Sequence, residues 1–312
     1  MSVTTAALDT LGAVSARWID LLDPTREELL AALPAGVDPD ALEVLAAPSG
    51  DEQTRPLLES HGAYVLGIFL DAQPVAEEDL VVYREVDVVA TPDLVVTVRK
   101  TPRSGKAWDP EPLENAASRG ASVGELLFRL VDDVAASFLD IVVAIDAEID
   151  ELEDHIEDWP SEKVRRRVGG LRSDLLHARR TVGAMRGAIR RIVDKRLDIG
   201  DERLFPESVE RMVADTYETL FRAGEELDVA RDLLSSARDY HQSVITERQN
   251  DTIRTLTVIA SLVLVPTLIV GFYGQNFEPV FDEKYWSFEV STGIIVASTI
   301  AQLVLFRWRR WI

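Results

Sequence analysis

Carboxylates are the reactive groups that this sequence holds in excess. Asp and Glu number 54 against 33 Lys and Arg, which gives a formal net charge of −21 over 312 residues. Such a balance attracts cations and disfavours nucleic acid as a partner. Other chemistry is poorly supplied. There is no cysteine, which excludes disulfides and thiolate metal sites. The four histidines, His61, His155, His177 and His241, stand far apart with no pair at ligand spacing. Gly105-Lys106 lacks the upstream glycine of a phosphate loop and reads as a loop feature. No nucleophile–base pair or metal triad is visible, so an enzyme is not expected.

Two groups of acids are placed where they could act on ions. Asp140, Asp146, Glu148, Asp150, Glu151, Glu153, Asp154, Glu157 and Asp158 follow one another with no Lys or Arg among them. Glu278, Asp282 and Glu283 lie between two long apolar runs. Each group has two readings, a solvated surface or a field that concentrates divalent cations.

The apolar runs must position the second group. Residues 255–277 carry no charge over 23 positions, about 34 Å of helix, enough to cross a bilayer core. A second uncharged run covers 290–306, with Trp286, Phe288, Trp308 and Trp311 as interfacial anchors on its flanks. A transmembrane helix is expected over 255–277, an extracytoplasmic loop over 278–288 and a second transmembrane helix over 289–307. A connection this short forces an antiparallel hairpin. Arg254 precedes the hairpin, Arg307, Arg309 and Arg310 follow it, and the loop offers only Lys284. The positive-inside rule then places both termini in the cytoplasm of a multi-pass plasma (inner) membrane protein, ending in a basic tail at 308–312. The first 16 residues lack the basic and apolar regions of a secretory signal.

The remainder reads as an α+β cytoplasmic domain followed by long helices. Within 1–119, strands are expected at 63–70, 80–87 and 94–99, and a helix from Asp23-Pro24-Thr25 to about Leu33. A helical hairpin is expected over 120–206. Its acidic first helix (122–159) breaks at Pro160, and its basic second helix (161–197) is poised for interhelical ion pairs. A stalk helix over 207–254 continues into the first span. Its seam steps by four and three through Val209, Val213, Thr216, Leu220, Ala223, Leu227, Ala230, Leu234 and Ala237. Such a helix is expected to seek identical neighbours around an axis.

The segment TLIVGFYGQNFE (267–278) resembles the Gly-Met-Asn signature of the CorA family of divalent-cation channels. Asn250, Ile253, Leu256 and Thr257 resemble the family's pattern at the membrane entrance, 226–244 its stalk, and RWRRWI its basic end. The family's Met is replaced by Gln275, while Gly274 and Asn276 are retained, which leaves ion preference open. The resemblance implies a homopentameric funnel in the lipid bilayer with divalent cations as cargo and no cofactor. Mg²⁺ is the implied substrate, with Co²⁺ or Ni²⁺ beside it, and a possible regulatory ligand. It also implies ion selection at Gly274, Gln275 and Asn276, and a regulatory acid at Asp215. Periodicity and the resemblance together assign the pore to Asn250, Ile253, Leu256, Thr257, Ala260, Leu264, Thr267 and Gly271. Thr267 is either a polar ring in that pore or a hydroxyl bonded back to its own helix. Two other readings stay open, a Zn²⁺ transporter of the ZntB type and a non-conducting membrane oligomer that senses or scaffolds.

Overall fold

The Val-rich runs of the N-terminal part pair into one mixed sheet, and helices cover both of its faces. That double cover explains why the strands are almost continuously apolar rather than alternating. The computed structural model describes residues 16–50, 54–75, 81–103, 105–194, 196–197, 204–274 and 286–311. The chain divides into two units, Met1–Arg238 and Asp239–Ile312.

In the first unit the strands are β1 (Arg17–Leu22), β2 (Leu57–Ser60), β3 (Val65–Pro74), β4 (Val81–Ala90) and β5 (Leu94–Arg99). Their order is β1-β5-β4-β3-β2, with β1 parallel to β5 and every other pair antiparallel. Helices α1 (Arg26–Ala32) and α2 (Pro39–Ala46) bring Leu29, Leu42 and Leu45 against Ile19, Leu66, Val96 and Val98 on one face. On the other face α4 (Val123–His155) packs Leu126, Leu130, Val134 and Phe138 in one core with Trp18, Phe69, Val88 and Val95. Each such side chain contributes roughly 1.5–3 kcal/mol by leaving water. A short α3 (Glu111–Ala117) precedes α4. Both α1 and α4 start with a full capping box, Thr25 with Glu28 and Ser122 with Glu125.

Two strand expectations are corrected in extent, since β3 runs on to Pro74 and β4 to Ala90. Four elements were not expected at all: β1, β2, α2 and α3. β1 hides its nature because Asp20 sits at a buried position. Its carboxylate accepts from the Thr97 hydroxyl (2.8 Å) and from Arg99 (Nη2–Oδ2 2.6 Å), which ties β1 to β5.

Helix α5 (Ser161–Val193) returns along α4 as the second arm of the expected hairpin, its start set by Pro160. Of the expected ion pairs between the arms, Arg167 with Glu148 is formed. Arg179 turns instead to Asp228 (2.6 Å), and Lys163 lies 3.4 Å over the Trp159 ring. At the start of α4, Gly124 is obligatory. A Cβ there would lie 2.5 Å from the Leu204 carbonyl oxygen, so only glycine lets that segment pass.

Helix α6 (Glu207–Gly274) is continuous over 68 residues. All nine seam residues from Val209 to Ala237 are buried within the chain itself, in the core that α4 and α5 share. This corrects the expectation that the seam seeks identical neighbours. The polar seam member, Thr216, satisfies its hydroxyl by donating to Asp132 of α4 (3.0 Å). The second unit holds the rest of α6 and α7 (Trp286–Trp308).

Candidate ion pathway

Charge is scarce where α6 enters its apolar stretch. Arg254 pairs with Asp251 one turn earlier (3.3 Å), and no further Asp, Glu, Lys or Arg follows in α6. Ile253, Leu256, Thr257, Ala260, Leu264, Thr267 and Gly271 are all exposed. At about 100° per residue they fall on roughly one third of the helix circumference. The opposite face is covered: Val258 is buried, and Ser261, Leu262, Val265, Pro266 and Ile269 are half-buried. In α7 the matching set is Ser291, Ile295, Ser298, Thr299, Gln302 and Phe306. One strip of each helix is thus covered, and the stripe from Ile253 to Gly271 is bare, as are Ile259, Val263, Leu268, Val270 and Phe272 beside it. Asn250, one turn earlier, is exposed as well.

The hydroxyls on the bare face are oriented by their own helix. Thr257 donates to the Ile253 carbonyl (2.8 Å) and Thr267 to that of Val263 (2.7 Å). For Thr267 this is the back-bonded alternative. The hydrogen is committed, so the oxygen lone pairs are what each threonine presents outward. The helix passes through Pro266, which supplies no N–H to the Leu262 carbonyl. Gly271 and Gly274 would admit a Cβ without meeting any atom of the described residues. Gln302, which the sequence reading passed over, carries a buried amide oxygen with no hydrogen-bond partner on the inward face of α7.

Gly274 is the last described residue of α6. Gln275, Asn276, Glu278, Asp282, Glu283 and Lys284 lie outside the described residues, as do residues 1–15 of the segment read for a signal.

Asp215 is exposed on α6, and among the described residues no three His, Cys, Asp or Glu side chains gather as a metal site. The acidic stretch of α4 accordingly gathers no ligand set among the described residues. Burial, and then the charges of Asp150 and Glu226, hold the Asp146 carboxyl above its usual range. A cleft of about 250 Å³ is lined by Asp71, Arg84, Trp108, Asp109, Asp133 and Asp140, among others. Its two most buried acids are already committed. Asp71 holds Arg84 (2.5 Å), and Asp133 accepts from the Trp108 indole (2.7 Å). Burial raises both carboxyls despite these partners.

A more enclosed cluster lies between β4, β5 and the end of α2. Lys100 donates to Glu85 (2.5 Å) and to the Val44 carbonyl (3.0 Å), and reaches Asp87 as an ion pair (2.7 Å). Glu85 also accepts from the Gly50 amide and the Thr54 hydroxyl. Two carboxylates therefore share one ammonium in the core. Burial pushes Asp87 up to about 7, against the pull of Lys100. Burial alone would depress Lys100, but Asp87 and then Glu85 offset it and hold the ammonium above its ordinary value.

Among the described residues two helices are long and apolar enough to cross a membrane, α6 and α7, and their apolar windows are almost wholly unburied. A core helix of a soluble protein would be covered. The sequence profile described as CorA-like Mg²⁺ transporter protein matches residues 14–310. The chain belongs to that family. Near its C-terminus α6 and α7 hold the two candidate membrane spans.

The cobalt/magnesium transport protein CorA of Methanocaldococcus jannaschii is 24% identical over 303 residues, 95% of this chain and 91% of that one. Its complete structure matches with a TM-score of 0.79 at 21% identity, over 98% of this chain and 95% of that chain. The cobalt/magnesium transport protein CorA of Thermotoga maritima is 23% identical over 237 residues, 73% of this chain and 64% of its own. YfjQ of Bacillus subtilis is 29% identical over 190 residues, 60% of this chain and 58% of its own. The chain therefore matches just under two thirds of the length of these last two relatives.

Proposed function

We propose that this CorA-family chain assembles as a homopentamer whose α6 helices line an axial pore for Mg²⁺, with Co²⁺ or Ni²⁺ as further cargo. It does so in the plasma (inner) membrane with both termini cytoplasmic. The observation that carries the reading is the bare face of α6 from Ile253 to Gly271, opposite the face covered in the hairpin. A face that is apolar, punctuated by threonine oxygens and unused inside its own chain suits the wall of a passage shared by identical copies.

Mg²⁺ gives up its water reluctantly and keeps an octahedral shell. A ring of neutral oxygens can greet that shell without stripping it, whereas a ring of carboxylates would hold the ion too long. Asn276 is assigned this task at the outer mouth, beside Gly274 and Gln275, with Glu278, Asp282 and Glu283 raising the local cation concentration. Inward of it, Thr267 and Thr257 offer lone pairs to the hydration shell. Leu256, Ala260 and Leu264 form an apolar stretch that can close by losing its water. Asp215 is assigned to sensing internal Mg²⁺. With that ion depleted, unscreened acids would loosen the ring and open the pore.

The test is divalent uptake by the purified full chain in vesicles. Wild type should load Mg²⁺, and Asn276→Ala should lower the initial rate by about tenfold or more. Equal rates would remove Asn276 from the pathway. Uptake of Zn²⁺ without Mg²⁺ would favour the Zn²⁺ reading, and an intact oligomer that passes neither ion would favour a non-conducting role.

A further inference from the structure

We propose that the turn closing α7 is a binding surface for anionic phospholipid headgroups. The proposal rests on α7 being a membrane span. Its evidence is the geometry of the helix end rather than the count of charges alone.

Helices commonly stop with a glycine in the left-handed conformation, because a side chain is strained there. Here that position is held by Arg310, at φ 54°. Two hydrogen bonds close the turn around it. The Trp311 amide donates to the Phe306 carbonyl (2.8 Å) and the Arg310 amide to that of Arg307 (3.1 Å). The apolar contact that accompanies this motif is present too, since the Trp311 ring stacks on Phe306 with centroids 5.8 Å apart. Phe306 is buried, and Trp308 is left 77% exposed.

The turn fixes where the charges go. Arg307 and Arg309 lie two residues apart, hence on nearly opposite sides of the helix, and Arg310 caps the end. All three are exposed, and among the described residues none has a carboxylate partner. Arg309 lies 5.9 Å over the Trp308 ring, which sets a guanidinium beside an amphipathic indole. A single acidic partner would be met by cations on one side. Cations spread around the rim of an apolar helix, with an exposed indole at the same level, match a plane of phosphates surrounding that helix. The strongly acidic remainder of the chain repels such a surface, so the attraction has to be local. An arginine at the strained position supplies the third cation where glycine would supply none.

The experiment uses the full chain in phosphatidylcholine bilayers, with spin-labelled phosphatidylglycerol and phosphatidylcholine compared for immobilisation at the protein surface. Wild type should prefer phosphatidylglycerol by about threefold or more, less so at high salt. The variant R307Q/R309Q/R310Q should bring the ratio to about one, while R307K/R309K/R310K should keep it. R310G, which suits the turn and removes one charge, should fall between. Equal immobilisation of both lipids by wild type, or an unchanged ratio in the glutamine variant, would overturn the proposal alone. Immobilisation of neither lipid would overturn the span on which it rests.

Discussion

The two halves of α6 use the same helical geometry toward opposite ends. From Val209 to Ala237 its apolar seam is consumed inside the chain, each member covered by the core that α4 and α5 share. From Ile253 to Gly271 an equally regular face stays bare while its back is covered. Periodicity alone does not separate these cases, because both halves repeat apolar or small residues at three and four. What separates them is the supply of intramolecular partners. The first half has two long amphipathic helices beside it, and the second has one short helix. A seam predicts a contact, and the remaining elements decide whether the contact is internal.

The sharpest way to break this comparison is to shorten one side chain in each half. Leu220→Ala should cost about 2–5 kcal/mol, because a fully buried side chain leaves a cavity. Thermal unfolding of the full chain in detergent should register it as a clear drop in midpoint. Leu264→Ala should leave that transition where it is and alter ion flux instead. Equal loss of stability in both variants would erase the distinction between the halves.

A second prediction sharpens it through charge. The sheet tolerates buried carboxylates because Lys100 and Arg84 serve them, yet Asp87 is left up to about 7. Its folded value lies above its unfolded one, so its stabilising contribution is whole below about pH 4. That contribution falls by about 1 kcal/mol per pH unit as pH rises toward 7, since the unfolded chain releases a proton that the fold retains. Asp71, Asp133 and Asp146 shift in the same direction. Only the difference between wild type and Asp87→Asn isolates the one group. Urea titrations across that range should show a flatter profile for Asp87→Asn; parallel profiles would refute the assignment.

The smallest effect is expected at Glu148. Its pair with Arg167 is partly exposed, and Glu148→Gln should change stability by less than about 1 kcal/mol. A larger loss would mean that the acidic arm of the hairpin depends on that pair more than on its apolar face.

What the sequence disclosed follows the same logic. The long helices were legible because their apolar periodicity is local and extends over many turns. β5 was legible to the residue, as an uninterrupted Val-rich run bounded by Pro92-Asp93 and Lys100. β1 was hidden by Asp20, whose partners Thr97 and Arg99 lie 77 and 79 positions away. β2 and α2 were too short to show a period, and α3 begins in a Pro-rich stretch that reads as loop. The cluster of Lys100, Glu85 and Asp87 was invisible for a related reason, since adjacent strands bring it together. The stripe from Ile253 to Gly271 could be read from periodicity, while the back-bonded hydroxyl of Thr267 needed coordinates.

Pro266 leaves one rung missing from the hydrogen-bond ladder of α6, at the Leu262 carbonyl. Bending a helix normally stretches such a rung, and here there is none to stretch. The eight residues beyond Pro266 can therefore tilt as a short rigid arm at little elastic cost, carrying Gly271 and Gly274 with them. Compliance is thus concentrated at one level of the helix, and a small change in angle there becomes a lateral displacement of Gly271 and Gly274.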